Sequence, residues 1–276
     1  VIHPEVPPII IDTKQRNLHS LQEAWANREL LAFFIWKDLK VRFKQTIIGG
    51  LWIIIQPLAT MLVFSLFFGR LARMPAAGIP YPLFYFSALL PWFYFANSVT
   101  QATSTMVENQ RVITKVYFPR LLLPLAAVIS GLVDLLIAFI PLLGMSMFYG
   151  IFPSPRMLLV PIFVLLALLA ALGIGLWLSA LNALFRDVRY ALPFVIQIWM
   201  FASPVVYPIS IIPPHWRWLY SLNPLASIIE GFRWAVIGKG TPPDLSLLVS
   251  LAVIAVLLVS GLYFFLRIEG TIIDMV

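Results

Sequence analysis

Long apolar runs, broken by short charged or proline-rich stretches, recur along the chain from Ile47 to Phe265. A helix needs roughly 20 apolar residues to cross a hydrocarbon core about 30 Å thick. Six stretches reach or approach that length: Ile47–Phe68, Leu83–Val107, Leu121–Tyr149, Met157–Phe185, Ala191–Val206 and Leu245–Phe265. The fifth is short and the third long. Pro57, Pro91, Pro124, Pro141, Pro193 and Pro204 lie inside these spans or at their ends. Neighbouring helices can re-satisfy the backbone groups that a proline frees, so kinks and broken helix ends are expected.

Ahead of the first span, residues Leu21 to Thr46 carry Trp25, Ala32, Trp36, Leu39 and Phe43 at helical spacing, with Lys37, Lys40, Arg42 and Lys44 crowding the C-terminal end. This pattern predicts an amphipathic helix in the membrane interface. Two roles fit it equally well, a headgroup-binding element and an anchor that only sets topology. In the fourth span Ala167, Ala171, Gly175, Ser179 and Ala183 repeat every four residues, a ridge of small side chains that lets another helix approach closely. Packing within the chain is the preferred reading over a dimer seam. Between the fifth and sixth spans, Ser210 to Asp244 holds Trp216, Trp218, Asn223-Pro224 and an apolar stretch from Leu225 to Ile237 interrupted by Glu230 and Arg233. About a dozen residues is too short to span, so short re-entrant or interfacial helices are expected there.

Composition agrees with the pattern. Hydrophobic residues make up 61% of the chain and charged residues 11%, against roughly 45–50% and 25% in soluble domains. The mean hydropathy is +0.93. A soluble fold cannot hide that much apolar surface. The fold class is therefore all-α, a polytopic membrane protein with six transmembrane helices, an N-terminal interface helix and short external helices before the last span. Residues 1–46 form the cytoplasmic N-terminal segment, 47–266 the membrane domain with an external gate segment at 210–244, and 267–276 a cytoplasmic tail. Residues 1–46 do not run basic, then apolar, then small, so the first span is expected to direct insertion. With no cysteine there is neither a disulfide framework nor a thiolate metal site.

The net charge of +7 reads as orientation and lipid-headgroup contact rather than nucleic-acid binding, because the basic residues fall between the apolar spans. Thirteen Lys and Arg lie on the side of the N-terminus and six on the other. The excess places both termini in the cytoplasm.

Catalytic patterns are missing. No G-x-x-x-x-G-K-[ST] phosphate loop exists, since Gly238-Lys239 is followed by Gly240. Neither H-E-x-x-H nor G-x-S-x-G occurs. His215, alone among tryptophans, reads as an interfacial residue and not a metal ligand. Asp134 lies near the middle of the third span, where a carboxylate costs roughly 2.5–3.5 kcal/mol on insertion scales. A proton relay is one role for it; a structural or pore-lining hydrogen bond is the other, and is preferred because the remaining spans offer only amides such as Gln101, Asn182 and Gln197. Trp92, Tyr94, Phe95, Asn97 and Gln101 place rings and amides together on the second span, the two side-chain types that meet the C–H faces and hydroxyls of sugars. Lipid-facing aromatics are the competing explanation for each ring.

Taken in order, Lys37-Asp38-Leu39-Lys40-Val41-Arg42-Phe43-Lys44, Gly49, Trp52, Gln56-Pro57, Leu90-Pro91-Trp92, Lys115-Val116-Tyr117-Phe118-Pro119-Arg120, Phe185-Arg186-Asp187-Val188, Ser203-Pro204, Asn223-Pro224 and Phe232-Arg233 resemble the permease subunits of ABC exporters for lipid-linked polysaccharides, which include O-antigen, teichoic acid and capsule exporters. The resemblance covers nearly all of the chain from about Leu30. It implies a homodimer of six-helix permeases in a bacterial inner membrane, enclosing a glycan channel, with two ATP-binding cassette subunits docked on the cytoplasmic side. ATP and Mg would be bound by those partners and no cofactor by this chain. It also implies a coupling helix over Glu108 to Phe118, with Glu108, Arg111, Val112, Lys115, Tyr117 and Phe118 as docking candidates. The headgroup entrance would hold Lys37, Lys40, Arg42 and Lys44; the channel, Trp92, Tyr94, Asn97, Gln101 and Asp134; the external gate, Trp216, Trp218, Asn223, Glu230 and Arg233. Rival readings are a permease for small molecules or drugs, an ion-coupled transporter using Asp134, and a membrane enzyme acting on polyprenyl phosphates.

Overall fold

The computed structural model describes residues 23, 26–44, 49–240 and 242–275. Leu21, Trp25, Thr46 and the first two residues of the span expected at Ile47–Phe68 lie outside the described residues. Every regular element among the described residues is helical. Helix α1 covers Arg28–Lys44; a 3₁₀ turn at Gly49–Leu51 leads into α2, Trp52–Phe64, which continues as a π-helix over Ser65–Leu71. Then come α3 at Tyr81–Glu108, the single turn α4 at Gln110–Ile113, α5 at Leu122–Phe148 and α6 at Val160–Leu184, the last preceded by a 3₁₀ turn at Pro155–Leu159. Helix α7 is Val188–Phe201, α8 Arg217–Tyr220, α9 Pro224–Ile237 and α10 Ser246–Met275.

Four helical segments are long and apolar enough to cross a membrane: Trp52–Leu71, Leu122–Phe148, Pro155–Leu184 and Ser246–Glu269. The other two expected spans are helices of a different kind. With 14 residues, α7 is about 21 Å long. Helix α3 has 28 residues, but it carries Ser, Asn, Thr and Gln along its C-terminal half and is buried over most of its length. Its position explains the polarity. Helices α2, α5, α6, α7 and α9 all pack on α3, so most of its polar groups meet protein, while Asn97 and Thr100 are exposed and Asn97 lines an open cavity. The apolar faces that would meet hydrocarbon belong to the helices around it: Leu62 and Val63 on α2, Phe67 on its π-helical continuation, Leu136 and Ile140 on α5, and Val256 and Val259 on α10 are exposed.

Small residues set the closest crossings. The ridge of α6 turns inward: Gly175 packs on Ala102 of α3, Ser179 is fully buried, and the Asn182 amide donates to the Thr103 carbonyl at 3.0 Å. The preferred reading of that ridge, packing within the chain, describes what it does here. Another face of α6 meets α10 almost backbone to backbone, where a Cβ on Gly173 would lie 2.8 Å from the Leu258 nitrogen and one on Gly261 would lie 2.4 Å from the Gly173 oxygen. Trp177 stacks on Phe264 at 4.3 Å and donates to the Ser260 hydroxyl, closing the same seam.

At the end of the bundle away from α1, α9 is fixed by a sealed ion pair. The Arg233 guanidinium is 1% exposed; it donates to Glu230 at 3.0 Å and to the Pro204 carbonyl at 2.9 Å, and lies 3.8 Å from the centre of the Phe84 ring. Glu230 also accepts from the Ile209 amide. Losing either partner would strand a buried charge.

Gly173→Ala is expected to lower the thermal stability of the detergent-purified protein by about 1–3 kcal/mol, because backbone atoms cannot yield to the new methyl. Gly144→Ala, with nothing within 4 Å of the added Cβ, is expected to be neutral or slightly stabilising. Equal melting shifts for the two would contradict this view of the α6–α10 seam.

Candidate functional site

Asp134 sits 12 residues into α5, roughly 18 Å along the helix from Leu122. Its partner comes from outside the spans. The Arg42 guanidinium near the end of α1 forms an ion pair with the Asp134 carboxylate, and its other terminal nitrogen donates to the Gln101 side-chain oxygen on α3 at 2.6 Å. Five residues earlier, the Lys37 ammonium donates to Asn109 at 2.7 Å, at the end of α3. These contacts step inward along α3 from its end to a point about two turns inside, so α1 leans into the bundle instead of lying on its rim. Phe34 of α1 is buried against Phe118, with ring centres 5.4 Å apart. The opposite side of α1 leaves Phe33, Trp36 and Phe43 exposed. One face is thus packed on protein and another is free for lipid, which replaces the simple apolar and polar halves of an interfacial helix.

The four basic residues expected at a headgroup entrance therefore separate. Lys37 and Arg42 are engaged with α3 and α5. Lys40 lies over the Trp36 ring at 4.3 Å, and Lys44 is exposed at the helix end.

Two open cavities meet at Arg42 and Gln101. One, of about 320 Å³, is lined by Trp52, Gln56, Phe93, Tyr94, Asn97, Gly131 and Asp134 among others. The second, of about 300 Å³, runs toward the end of α3 past Lys37, Asp38, Thr105, Glu108 and Asn109. Burial pushes the Asp38 carboxyl above its usual range, against the pull of Lys37 and Arg42, and Glu108 adds to the rise.

Of the channel candidates, Tyr94, Asn97, Gln101 and Asp134 come together on the first cavity. Tyr94 also donates to the Val128 carbonyl at 3.2 Å. Trp92 does not join them; it is buried in the core beside Phe95. Trp52, Gln56 and Phe93 line the same cavity and were not singled out as channel residues from sequence, although Trp52 and Gln56-Pro57 are part of the family-like pattern.

The expected coupling segment divides into an anchor and a face. Ile113 and Phe118 are buried with Phe34, Leu121 and Phe265, whereas Arg111, Val112, Lys115, Val116 and Tyr117 are exposed. Glu108 closes α3 on the wall of the second cavity. Behind the segment, the buried Arg120 side chain donates to the Glu269 carbonyl, tying this end of the bundle to α10.

The gate candidates divide likewise. Asn223 caps α9 by accepting from the Leu225 amide, accepts from the Trp199 indole at 3.1 Å, and donates to the Ser203 hydroxyl. Glu230 and Arg233 form the sealed pair, and Trp216 and Trp218 are exposed.

The chain is similar to proteins with telling names. The O-antigen export system permease protein RfbA of Myxococcus xanthus is 32% identical over 241 residues, covering 86% of this chain and 91% of that protein. A protein of the same name from Klebsiella pneumoniae is 32% identical over 74% of this chain and 79% of its own length. The polysialic acid transport protein KpsM of Escherichia coli is 25% identical over 72% of this chain and 78% of its own. Residues 29–237, from the start of α1 to the end of α9, match the pattern of the ABC-2 type transporters, and the chain belongs to that family.

Proposed function

We propose that this chain is the membrane-spanning permease subunit of an ATP-driven exporter of polysaccharide. The observation that carries this reading is the 32% identity, over 86% of the chain, to a protein named as an O-antigen export permease, with a polysialic acid transport protein more distantly similar over most of the same length. A small-molecule permease is the weaker alternative. The Inner membrane transport permease YadH of Escherichia coli, 25% identical over 82% of this chain, has a name that specifies no cargo.

On this reading α2, α3, α5, α6, α7 and α10 make six membrane passages, with α3 shielded at the centre and α7 completed by the turns that follow it. Both termini face the cytoplasm of a bacterium, in its inner membrane. Two copies enclose a channel, and two ATP-binding cassette subunits, which hold the ATP and Mg, dock on the cytoplasmic side. The cargo is a polyprenyl-diphosphate-linked glycan of O-antigen, teichoic acid or capsule type. Lys37, Lys40, Arg42 and Lys44 serve its headgroup, and the segment around Asn223, Glu230 and Arg233 closes the outer end. The exposed face of Arg111, Val112, Lys115 and Tyr117 suits a protein partner, since it offers apolar area for burial and two charges that fix register. An ion-coupled mechanism through Asp134 gains no support from the geometry, because its partner is an arginine.

Purified chain in lipid nanodiscs is expected to hydrolyse no ATP above background, and the addition of the cassette subunit with lipid-linked polysaccharide is expected to produce stimulated hydrolysis. Robust hydrolysis by the chain alone, or a full complex indifferent to the glycan, would sink the reading.

Reversing Arg111 and Lys115 to Glu is expected to weaken cassette-subunit association about tenfold, equivalent to ~1.4 kcal/mol, in a co-purification titration. Unchanged association would move the docking surface elsewhere.

A further inference from the structure

Two ion pairs at opposite ends of the bundle are built in opposite ways. Arg233 and Glu230 are sealed, with further partners in the Pro204 carbonyl, the Ile209 amide and the Phe84 ring. Arg42 and Asp134 are each about one-fifth exposed and line an open cavity. One oxygen of Asp134, Oδ1, is buried without a hydrogen-bond partner. The sealed pair leaves Arg233 Nε without a partner too, so access to an open cavity is what sets the Arg42–Asp134 pair apart. The open pair is placed where a ligand can exchange with it.

The rest of the cavity defines that ligand. A guanidinium holding a carboxylate through its terminal nitrogens presents the same fork to a phosphate. The Trp52 and Phe93 rings offer flat apolar faces, while Gln56 and Asn97 offer donors and acceptors beside them. Its 320 Å³ is ample for one pyranose ring. The neighbouring cavity holds Lys37 as well as Asp38 and Glu108, so its charges offset one another, and it is the rings and amides on the Trp52 side of Arg42 that suit a phosphate-bearing sugar.

We propose that this cavity is a subsite, within one protomer, for the phosphate-bearing first sugar of the lipid-linked glycan, and that Asp134 is its placeholder, neutralising Arg42 until the ligand phosphate takes over the guanidinium. The released Asp134 side chain, protonated once Arg42 has left it, then hydrogen-bonds the sugar hydroxyls. Arg42 keeps an anionic partner in both states, Asp134 when the site is empty and phosphate when it is filled, and the released Asp134 is neutralised by a proton taken up from water in the open cavity. The identity of the ligand rests on the export reading above.

The test is equilibrium binding to the full chain in nanodiscs, without the cassette subunit, using a polyprenyl diphosphate carrying one hexose as probe. Bare polyprenyl diphosphate, inorganic pyrophosphate and phosphatidylglycerol serve as competitors. Asp134→Asn removes the internal competitor and is expected to tighten probe binding about tenfold; Arg42→Gln is expected to weaken it about tenfold, and Arg42→Lys to recover part of the loss. Opposite signs are the signature, because a purely structural pair would move stability and binding the same way in both variants. If either variant misfolds, Asn97→Ala on the exposed cavity wall decides: it is expected to erase the preference for the hexose-bearing probe over bare polyprenyl diphosphate. Binding that weakens in both charge variants, an unaltered preference in Asn97→Ala, or competition by pyrophosphate or phosphatidylglycerol as strong as by the probe itself would each overturn the subsite. The assay contains neither the cassette partner nor polymer, so its failure leaves the export reading to its own ATPase experiment.

Discussion

A carboxylate in the middle of an apolar helix has to be neutralised, and the way Asp134 is neutralised organises the end of the bundle that carries α1. Its partner, 92 residues earlier in the chain, sits on a helix that does not itself span. Arg42 can reach Asp134 only if α1 leans into the bundle, and that tilt brings Lys37 onto Asn109 and Phe34 onto Phe118. The N-terminal helix, the end of α3 and the segment over 110–118 therefore share one set of contacts. A push on the exposed face of that segment has a packed route to Arg42 and to the cavity it borders. The opposite end has a rigid counterpart. There the charge pair is closed off, with α9 bonded to the turns after α7, so the two ends of the bundle differ in how readily their charges can exchange partners.

Helix α3 provides the second constraint. Because other helices surround it, it can carry Asn97, Gln101, Thr103 and Thr105 at a depth where a lipid-facing helix could not. A permease for a polar cargo needs such groups inside an apolar shell, and a central polar helix supplies them without exposing them to hydrocarbon. Close approach through Gly175 on one side, and the Gly173–Gly261 crossing behind it, hold that shell together where side-chain interdigitation would take more room.

Much of the architecture was legible in the sequence, because apolar length and proline placement are local signals. The expected span Leu83–Val107 became Tyr81–Glu108, Leu121–Tyr149 became Leu122–Phe148, and the segment over 210–244 contains short helices. Apolar length does not reveal that other helices surround α3, which therefore read as an ordinary span, and α7, already short in sequence, is a 14-residue helix; four segments stand out by length and apolarity. The site was legible in parts. Tyr94, Asn97 and Gln101 recur at helical spacing, so their shared cavity follows from one helix. Trp92 was grouped with them by adjacency in sequence, but adjacent positions lie about 100° apart around a helix, and its ring turned into the core. The Arg42–Asp134 pair carries no local signal, since only the packing of α1 on α5 brings the two together. The cluster Lys37, Lys40, Arg42 and Lys44 looked like a single basic patch for the same reason, and tertiary contacts divided it.

The central claim is outward movement of a lipid-linked polysaccharide driven by a partner's ATP cycle. Its most direct measurement uses inverted membrane vesicles holding this chain and its cassette subunit, with the glycan supplied on the outer, formerly cytoplasmic face. Protection of the glycan from an added glycosidase is followed over time. The account predicts protection that grows with ATP and is absent when the cassette subunit cannot hydrolyse it. Protection that develops equally without ATP, or none at all in a complex shown to hydrolyse ATP in response to the glycan, would contradict it.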